Sequence, residues 1–215
     1  MKRTTILCVA LCVTALLVGC QSELDNKPAA KVEATPETKK QALEAKPAQG
    51  AAVYEMDLAA SKFAAVGSKV TADKTLQFKS MSGQATVVGD KLMGGEFTIQ
   101  MDSVDAGNER LTAHLKSEDF FDIANHPTST FKITVVKQGN MAAWPHEVEG
   151  SLTLRGKTKT ISFPADITVE NGKTSMRAEF TINRQDFGIS YPGKKDDLIK
   201  DDVLIKMNVV LNKKG

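Results

Sequence analysis

The sequence predicts an all-β domain, an antiparallel β-barrel of about eight strands with one or two short helices in a long connection. Three observations predict this fold class. Apolar residues recur at every second position, with polar residues between them. Turn signals such as Asn171-Gly172 separate these alternating runs. Both features extend over one stretch of the chain, residues 52–215. About eight strands with one apolar face close into a barrel that is plugged by side chains or holds one small ligand.

The clearest alternation lies in the middle of the chain. Phe97, Ile99 and Met101 alternate with polar neighbours, and Phe131 and Ile133 do the same. Successive side chains of a strand point to opposite faces, so each run has one face toward apolar surroundings and one toward water. Further runs complete the predicted set: 62–70, 75–79, 82–88, 148–154, 161–169, 176–182 and 203–211.

Residues 108–125 break the two-residue period. The stretch is too long for a hairpin turn and predicts a connection that contains one or two short helices. A second helix would be capped by Ser117, or would carry Glu118 and Asp119 in its first turn.

The N-terminus has the pattern of a secretory signal. Lys2 and Arg3 precede an uncharged apolar stretch, residues 6–18. A membrane-spanning helix needs about 20 apolar residues, so this stretch is too short to span a bilayer. Residues 1–19 are therefore predicted to be a signal peptide.

The signal ends in Leu17-Val18-Gly19-Cys20, which resembles a bacterial lipobox. The resemblance implies that Cys20 receives a diacylglyceryl group and becomes the first residue of an exported lipoprotein anchored to the membrane. Gln21 follows in place of the Asp that retains enterobacterial lipoproteins at the inner membrane, which favours the outer membrane with the domain in the periplasm. Bacterial lipoproteins carry two or three acyl chains, enough for stable anchoring.

Residues 20–51 are predicted to be a disordered tether that begins with the lipidated cysteine. Ala, Lys, Glu, Pro and Gln dominate this stretch, and Leu24, Val32 and Leu43 are its larger aliphatic residues. About 30 flexible residues reach roughly 30 Å, enough to hold a domain clear of the lipid surface. A short helix over residues 38–45 is the alternative.

The net charge argues against a nucleic-acid-binding protein, and the cysteine count argues against a protein stabilised by intramolecular disulfides. The formal charge of +2 falls to zero once Lys2 and Arg3 leave with the signal, whereas nucleic-acid binding needs a basic excess on one face. Cys8 and Cys12 also leave, so Cys20 is the one cysteine of the mature chain and no intramolecular disulfide forms. We predict no nucleic-acid partner.

Three regions of the chain carry a family resemblance. The first region comprises Asp-Ala-Gly-Asn-Glu-Arg-Leu at 105–111, His-Leu-Lys-Ser-Glu-Asp-Phe-Phe-Asp at 114–122 and His-Pro-Thr-Ser-Thr-Phe at 126–131. The second is Gly-Ser-Leu-Thr-Leu-Arg-Gly-Lys-Thr-Lys at 150–159, and the third is Thr-Ile-Asn-Arg-Gln-Asp-Phe-Gly-Ile at 181–189. In this order they resemble the signatures of the YceI-like family.

The resemblance covers about Tyr54 to Asn212 and implies a lipocalin-like barrel with an elongated apolar cavity. It further implies that this cavity binds a long-chain apolar lipid, of polyisoprenoid or isoprenoid quinone type, for storage or transport. Such a protein is not an enzyme and has no cofactor beyond the non-covalent lipid. Residues 60–63, Ala-Ser-Lys-Phe, stand where the family frequently has His-Ser, so no role of that histidine is carried over.

Candidate ligand-binding residues are the apolar positions of the predicted inward faces. Alternation cannot tell whether the barrel interior is open or filled. The alternative function is therefore a structural or interaction lipoprotein whose plugged barrel contacts an envelope partner. The ligand candidates are Phe63, Val66, Phe78, Phe97, Ile99, Met101, Phe120, Phe121, Phe131, Ile133, Phe163 and Phe180.

Catalytic and metal-binding readings are weaker. A zinc site needs three or four converging ligands and often includes two histidines four positions apart on a helix. Asp119 and Asp122 lie near His114 in the sequence, but no two histidines have this spacing. A hydrolase made of Ser117, His114 and Asp119 would need a base within hydrogen-bonding reach and an oxyanion site, neither of which adjacency in sequence supplies. We predict no catalytic residues and no metal ligands. His114 is expected to be a buried residue that pins the helical connection through a hydrogen bond.

Overall fold

The computed structural model describes residues 22–34 and 50–215. The predicted signal peptide, the predicted lipidation site Cys20 and residues 35–49 of the predicted tether lie outside the described residues. In the part of the chain that is described, no helix is long and apolar enough to cross a bilayer.

Strands dominate the described residues, with one α-helix, α1 (Glu109–Lys116), and short 3₁₀ turns at Met101–Ser103 and Arg184–Phe187. The strands are β1 (Lys31–Ala34), β2 (Ala51–Met56), β3 (Lys62–Lys69), β4 (Asp73–Phe78), β5 (Met81–Val88), β6 (Lys91–Gln100), β7 (Val104–Asp105), β8 (Thr128–Met141), β9 (Trp144–Leu154), β10 (Lys157–Glu170), β11 (Lys173–Asn183), β12 (Gly193–Lys194) and β13 (Asp197–Lys213).

The strands form a closed antiparallel barrel of eight strand positions. Three positions are each built by two consecutive strands, β2 with β3, β4 with β5, and β6 with β7. Strands β8, β9, β10, β11 and β13 make the other five. Strand β13 pairs with β11 on one side and with β2 and β3 on the other, which closes the wall. The predicted fold class is confirmed.

The barrel has two unlike ends. One end carries tight turns, such as the β10–β11 hairpin, where Asn171 (φ 50°) and Gly172 (φ 74°) adopt the left-handed conformation that two-residue hairpins favour. The other end, called here the mouth end, carries α1, the β3–β4 turn of residues 70–72 and the connection between β11 and β13. The two ends therefore offer a short closed edge and a longer, more elaborate rim.

Helix α1 is the first of the two helices considered for residues 108–125. Asn108 caps it by accepting a hydrogen bond from the Leu111 N–H at 2.9 Å. The second predicted helix does not form, because Ser117 ends α1 instead of starting a helix. Its N–H and its hydroxyl both donate to the His114 carbonyl, and Asp122 has a φ of 49°, so residues 118–125 form turns.

The prediction of a disordered tether is wrong for residues 22–34. Leu24 is 8% exposed and packs against Val66 and Leu204 on the outside of the barrel. Lys27 forms an ion pair with Glu179. A chain without a core of its own is ordered here because the barrel supplies the apolar surface that the segment covers.

Strand β1 is part of the barrel wall. Strands β10 and β11 pair over 166–170 and 173–177 and separate toward the mouth end. Residues 31–34 fill the gap by pairing with 159–162 of β10, while Ala30 N–H donates to the Thr181 carbonyl and Thr181 N–H to that of Pro28. Val32 packs against the core. The wall is thus completed by residues that precede the recognisable domain in sequence.

We expect Leu24→Ala to lower the free energy of unfolding by about 2 to 3 kcal/mol, because it removes a buried aliphatic side chain. Leu58→Ala is the matched control, since Leu58 is 45% exposed and its truncation should cost less than about 0.5 kcal/mol. Urea unfolding of both variants makes the comparison. Equal stabilities would mean that residues 22–34 do not pack on the barrel.

Candidate functional site

The barrel encloses an apolar cavity with a volume of about 370 Å³. This lies in the range of about 300 to 1,000 Å³ found for small-molecule sites. Leu111 and Leu115 of α1 cover it at the mouth end, and Val209 and Met56 border it toward the opposite end. The barrel interior is therefore open over part of its length rather than filled throughout.

Two groups of aromatic rings line the cavity. Phe78 makes edge contacts with Phe63 and Phe121, with ring centroids 5.6 and 6.0 Å apart. Phe163 stacks on Phe180 at 4.0 Å with the ring planes 9° apart. These contacts hold the rings against one another, so the apolar surface is preorganised before a ligand arrives.

Glycines let two rings lie flat against the wall. A Cβ on Gly83, the cross-strand partner of Phe97, would stand 2.3 Å from Cδ1 of that ring. A Cβ on Gly150 would stand 2.6 Å from Cζ of Phe131. Any larger residue at either position would push a phenyl ring toward the interior. The missing side chains therefore contribute directly to the open space.

The mouth of the cavity lies at the β3–β4 turn. The lining residues that are solvent-exposed, Thr71, Ala72 and Lys74, all lie in this turn or directly after it. Across the opening stand Asp197 and Ile199 of β13. The cavity is thus reached from the mouth end, beside α1.

A polar clasp joins the two sides of the mouth. Asp197 accepts hydrogen bonds from Lys69 Nζ at 3.1 Å and from Thr71 Oγ1 at 3.0 Å. Desolvation raises the pKa of Asp197, but the hydrogen bonds from Lys69 and Thr71 and the lysine charge outweigh it and lower the pKa below the usual value. The Asp197 carboxylate therefore stays ionised at neutral pH and remains an acceptor for Lys69 and Thr71.

Arg184 is the one buried charge on the cavity wall within the described residues, being 5% exposed. Its guanidinium donates to the carbonyls of Ile189 and Tyr191 at 2.8 and 2.9 Å and to a carboxylate oxygen of Asp201 at 2.9 Å. Further bonds reach the carbonyls of residues 199 and 200. The arginine therefore fastens both halves of the β11–β13 connection and has no donor left for a ligand.

The histidine and serine candidates serve the connection after α1. His114 Nε2 lies 2.9 Å from Asp119 Oδ2, and its ring contacts those of Phe120 and Tyr191 edge-on. The hydroxyl of Ser117 donates to the His114 carbonyl and not to the imidazole. His114 thus pins the connection through a hydrogen bond as expected, but it is not buried, because its side chain is 35% exposed. These residues do not form a hydrolytic triad.

Ten of the twelve predicted ligand residues line the cavity. Val66 does not: it faces outward beneath Leu24, because Phe63 and Ala65 are the inward residues of β3. Ile133 is fully buried in the core but lies off the cavity. The ten are Phe63, Phe78, Phe97, Ile99, Met101, Phe120, Phe121, Phe131, Phe163 and Phe180.

The prediction missed lining residues of two kinds. The aliphatic ones, such as Leu152, Ile182 and Ile205, lie in runs whose alternation was recognised, so the same signal could have found them. The residues of the clasp, Lys69 and Asp197, carry no local signal, because they are 128 positions apart in the chain.

Comparison with known proteins agrees with this architecture. Residues 54–211 match the YceI-like domain. The chain belongs to the YceI-like family. A UPF0312 protein of Pectobacterium carotovorum is 32% identical over 99 residues, 43% of this chain and 50% of the relative. A UPF0312 protein of Pseudomonas putida is 28% identical over 138 residues, 60% of this chain and 70% of the relative. The chain spans about half the length of the first of these curated relatives.

Two solved structures share the fold. The crystal structure of Burkholderia cenocepacia BcnA has a TM-score of 0.63 and 24% identity, covering 72% of this chain and 98% of that protein. A polyisoprenoid binding domain from Saccharophagus degradans, implicated in plant cell wall breakdown, has a TM-score of 0.61 and 17% identity, covering 75% and 98%. At these identities the comparison supports the barrel fold.

The three YceI-like signature regions meet at the mouth end. Arg155, in the β9–β10 turn, donates to the carbonyl of Glu118 at 2.5 Å and to that of Gly188. A Cβ on Gly156 would stand 2.6 Å from the ring of His126. Each of the three regions is thus touched by another at the rim of the cavity. Other residues of the same regions, such as Phe121, Phe131 and Leu152, line its apolar wall.

We expect Gly83→Ala to weaken binding of an apolar fluorescent probe, N-phenyl-1-naphthylamine, about tenfold, because overpacking of this kind typically costs 1 to 3 kcal/mol. Gly94→Ala is the matched control, since a Cβ there meets Ile133 O at an ordinary 3.5 Å. Fluorescence titration gives both dissociation constants. A similar loss in the two variants would show that Phe97 does not set the width of the cavity.

Proposed function

We propose that this protein is a non-enzymatic envelope lipoprotein whose barrel binds a long, uncharged isoprenoid lipid, of polyisoprenoid or quinone type, for storage or transport. The observation that carries the proposal is the apolar cavity of about 370 Å³, lined by two groups of phenylalanines and opening at one end. Apolar burial contributes about 25 cal/mol per Å², so length and shape would decide which chain fits best.

The charges at the cavity favour an uncharged ligand. Arg184 is occupied by backbone carbonyls and Asp201, and Lys69 by Asp197. Lys74 is exposed at the mouth. An ionised group deep in the cavity would lose its hydration without a free partner, which costs several kcal/mol. A charged head group, if present, would therefore remain at the mouth.

The envelope location rests on the N-terminal sequence. The signal-like residues 1–19 and the lipobox-like Leu17–Cys20 support export and acylation, and Gln21 favours the outer membrane. An exported, anchored barrel would hold an apolar ligand that is insoluble in the periplasm. The plugged-barrel alternative is less well supported, because the interior contains a cavity with an open mouth.

Organic extraction of the purified protein followed by mass spectrometry tests the proposed ligand class. We expect an uncharged long-chain isoprenoid in near one-to-one ratio with the barrel. An extract without lipid, from protein that still shows the far-UV circular dichroism of a β-barrel, would favour the interaction protein.

Phe131→Glu should lower the extracted lipid at least about tenfold, because an unpaired carboxylate in an apolar cavity costs several kcal/mol or stays protonated. Phe97→Glu, on the neighbouring strand, should act alike. Lys132→Glu is the control, since residue 132 lies on the opposite face of β8 from Phe131. Far-UV circular dichroism separates an emptied barrel from an unfolded one. A folded Phe131→Glu protein with its full complement of lipid would place the ligand elsewhere.

Cys20→Ser should release the protein from the membrane, because acylation through a thioether needs the thiol. Fractionation of cells followed by a detergent-free wash measures this. The barrel should remain folded, since the barrel and the segment 22–34 retain their contacts. Recovery of the variant in the washed membrane fraction would contradict the lipoprotein assignment.

A further inference from the structure

We propose that the mouth end of the barrel is a membrane-docking face, which presses the opening of the cavity onto the bilayer that carries the anchor. A lipid would then pass between bilayer and cavity without crossing water. This inference rests on the proposed lipid-binding lipoprotein function and deepens it by naming the surface through which the ligand enters.

The N-terminal segment is attached to the mouth of the cavity. Ser22 Oγ donates to Asp73 Oδ1 at 3.1 Å and lies 3.1 Å from Ser68 Oγ, and the Glu23 N–H donates to Asp73 Oδ2 at 3.0 Å. Asp73 directly follows Thr71 and Ala72, which line the mouth. The segment therefore starts, as far as it is described, on the turn that forms the opening.

Only a short length of chain separates this attachment from the predicted anchor, Cys20. Cys20 precedes Ser22 by two residues in the sequence, and two residues of fully extended chain span at most about 7 Å. Leu24 buried on the barrel and an ion pair of Glu23 with Lys206 at 2.5 Å hold the segment in place. An acylated Cys20 would thus bring the membrane to the mouth, with no length of free chain to keep the barrel away from it.

The rim of the mouth exposes apolar side chains. Val70, in the β3–β4 turn, is 77% exposed, and Leu198, between the lining residues Asp197 and Ile199, is 52% exposed. Transfer of such apolar side chains from water to the acyl boundary of a bilayer lowers the free energy. Charges of both signs lie nearby in the sequence, as in Lys195 and Asp196, so anionic lipid is not required.

The opposite end supplies a matched control. Met93 is 52% and Met141 41% exposed there, at the beginning of β6 and the end of β8. Both ends thus expose apolar side chains, but the attachment of Ser22 places the anchor at the mouth end. The proposal therefore predicts which of two apolar ends meets the lipid.

Site-specific fluorescence tests the orientation. Val70→Cys, Leu198→Cys, Met93→Cys and Met141→Cys are each made in the full-length acylated protein, labelled with an environment-sensitive NBD probe and reconstituted in phosphatidylcholine vesicles. Cys20 is blocked by its thioether, so each new thiol is labelled alone. We expect a blue shift, and quenching by lipids with brominated acyl chains, at positions 70 and 198 only. Quenching at 93 and 141, or at neither end, overturns the proposal.

A transfer measurement tests the consequence. Val70→Asp combined with Leu198→Asp should slow the uptake of a pyrene-labelled long-chain polyprenol from vesicles about tenfold, while the amount bound at equilibrium stays the same. Met93→Asp combined with Met141→Asp should leave the rate unchanged. Equal rates in the two double variants overturn the docking face.

The two measurements separate this inference from the proposed function. If the barrel binds no lipid, wild-type protein takes up no polyprenol, but the quenching pattern still reports the orientation. If the mass of the mature protein shows Cys20 without acyl chains, the short attachment on which the docking face depends is absent and the proposal is overturned.

Discussion

Closure of the wall between β10 and β11 is the constraint on which the rest of the structure depends. An eight-strand barrel encloses a separate interior only if each strand has a hydrogen-bonded neighbour on both sides, and an open seam would expose unpaired backbone groups. The direct pairing ends at Asp166 and Arg177, close to Pro164, which has no backbone N–H to offer. From there toward the mouth end, strand β1 pairs with β10 in place of β11. The enclosed apolar interior depends on this completed wall.

The open interior results from how the rings are placed rather than from a shortage of large side chains. Nine phenylalanines could fill much of a small barrel. Phe97 instead lies over Gly83 and Gly95, and Phe131 over Gly150, while Phe163 and Phe180 share one stack. Large residues thus form the wall of the cavity and glycines set its width. A larger residue at one of these glycines would therefore narrow the cavity.

Local sequence patterns predicted the barrel because strand period and turn chemistry are local properties. The same period placed Phe97 and Phe131 on the inner face. It failed at Val66, because Phe63 to Val66 is apolar in both phases of the alternation, and Val66 is buried on the outer face by Leu24, 42 positions away. Composition likewise predicted disorder for residues 22–34, since the apolar surface that orders them belongs to distant strands.

The cavity itself was beyond sequence reasoning. Whether the barrel is open depends on cross-strand pairs such as Gly83 with Phe97, and register between strands is not written in either strand alone. The clasp of Lys69 with Asp197 and the role of Arg184 have the same origin. The family signatures could be recognised, but their convergence around Arg155 at the rim became visible only in three dimensions.

The position of β1 also determines what a shortened form of this protein would be. A fragment that begins where the family match begins, at residue 54, would lack β1 and the first half of β2. Backbone groups of residues 159–162 and of Thr181 would then lose their partners and form exposed strand edges. Such edges pair readily with a strand of another molecule. The trimmed domain would therefore tend toward edge-to-edge self-association, whereas the longer chain occupies its own edge.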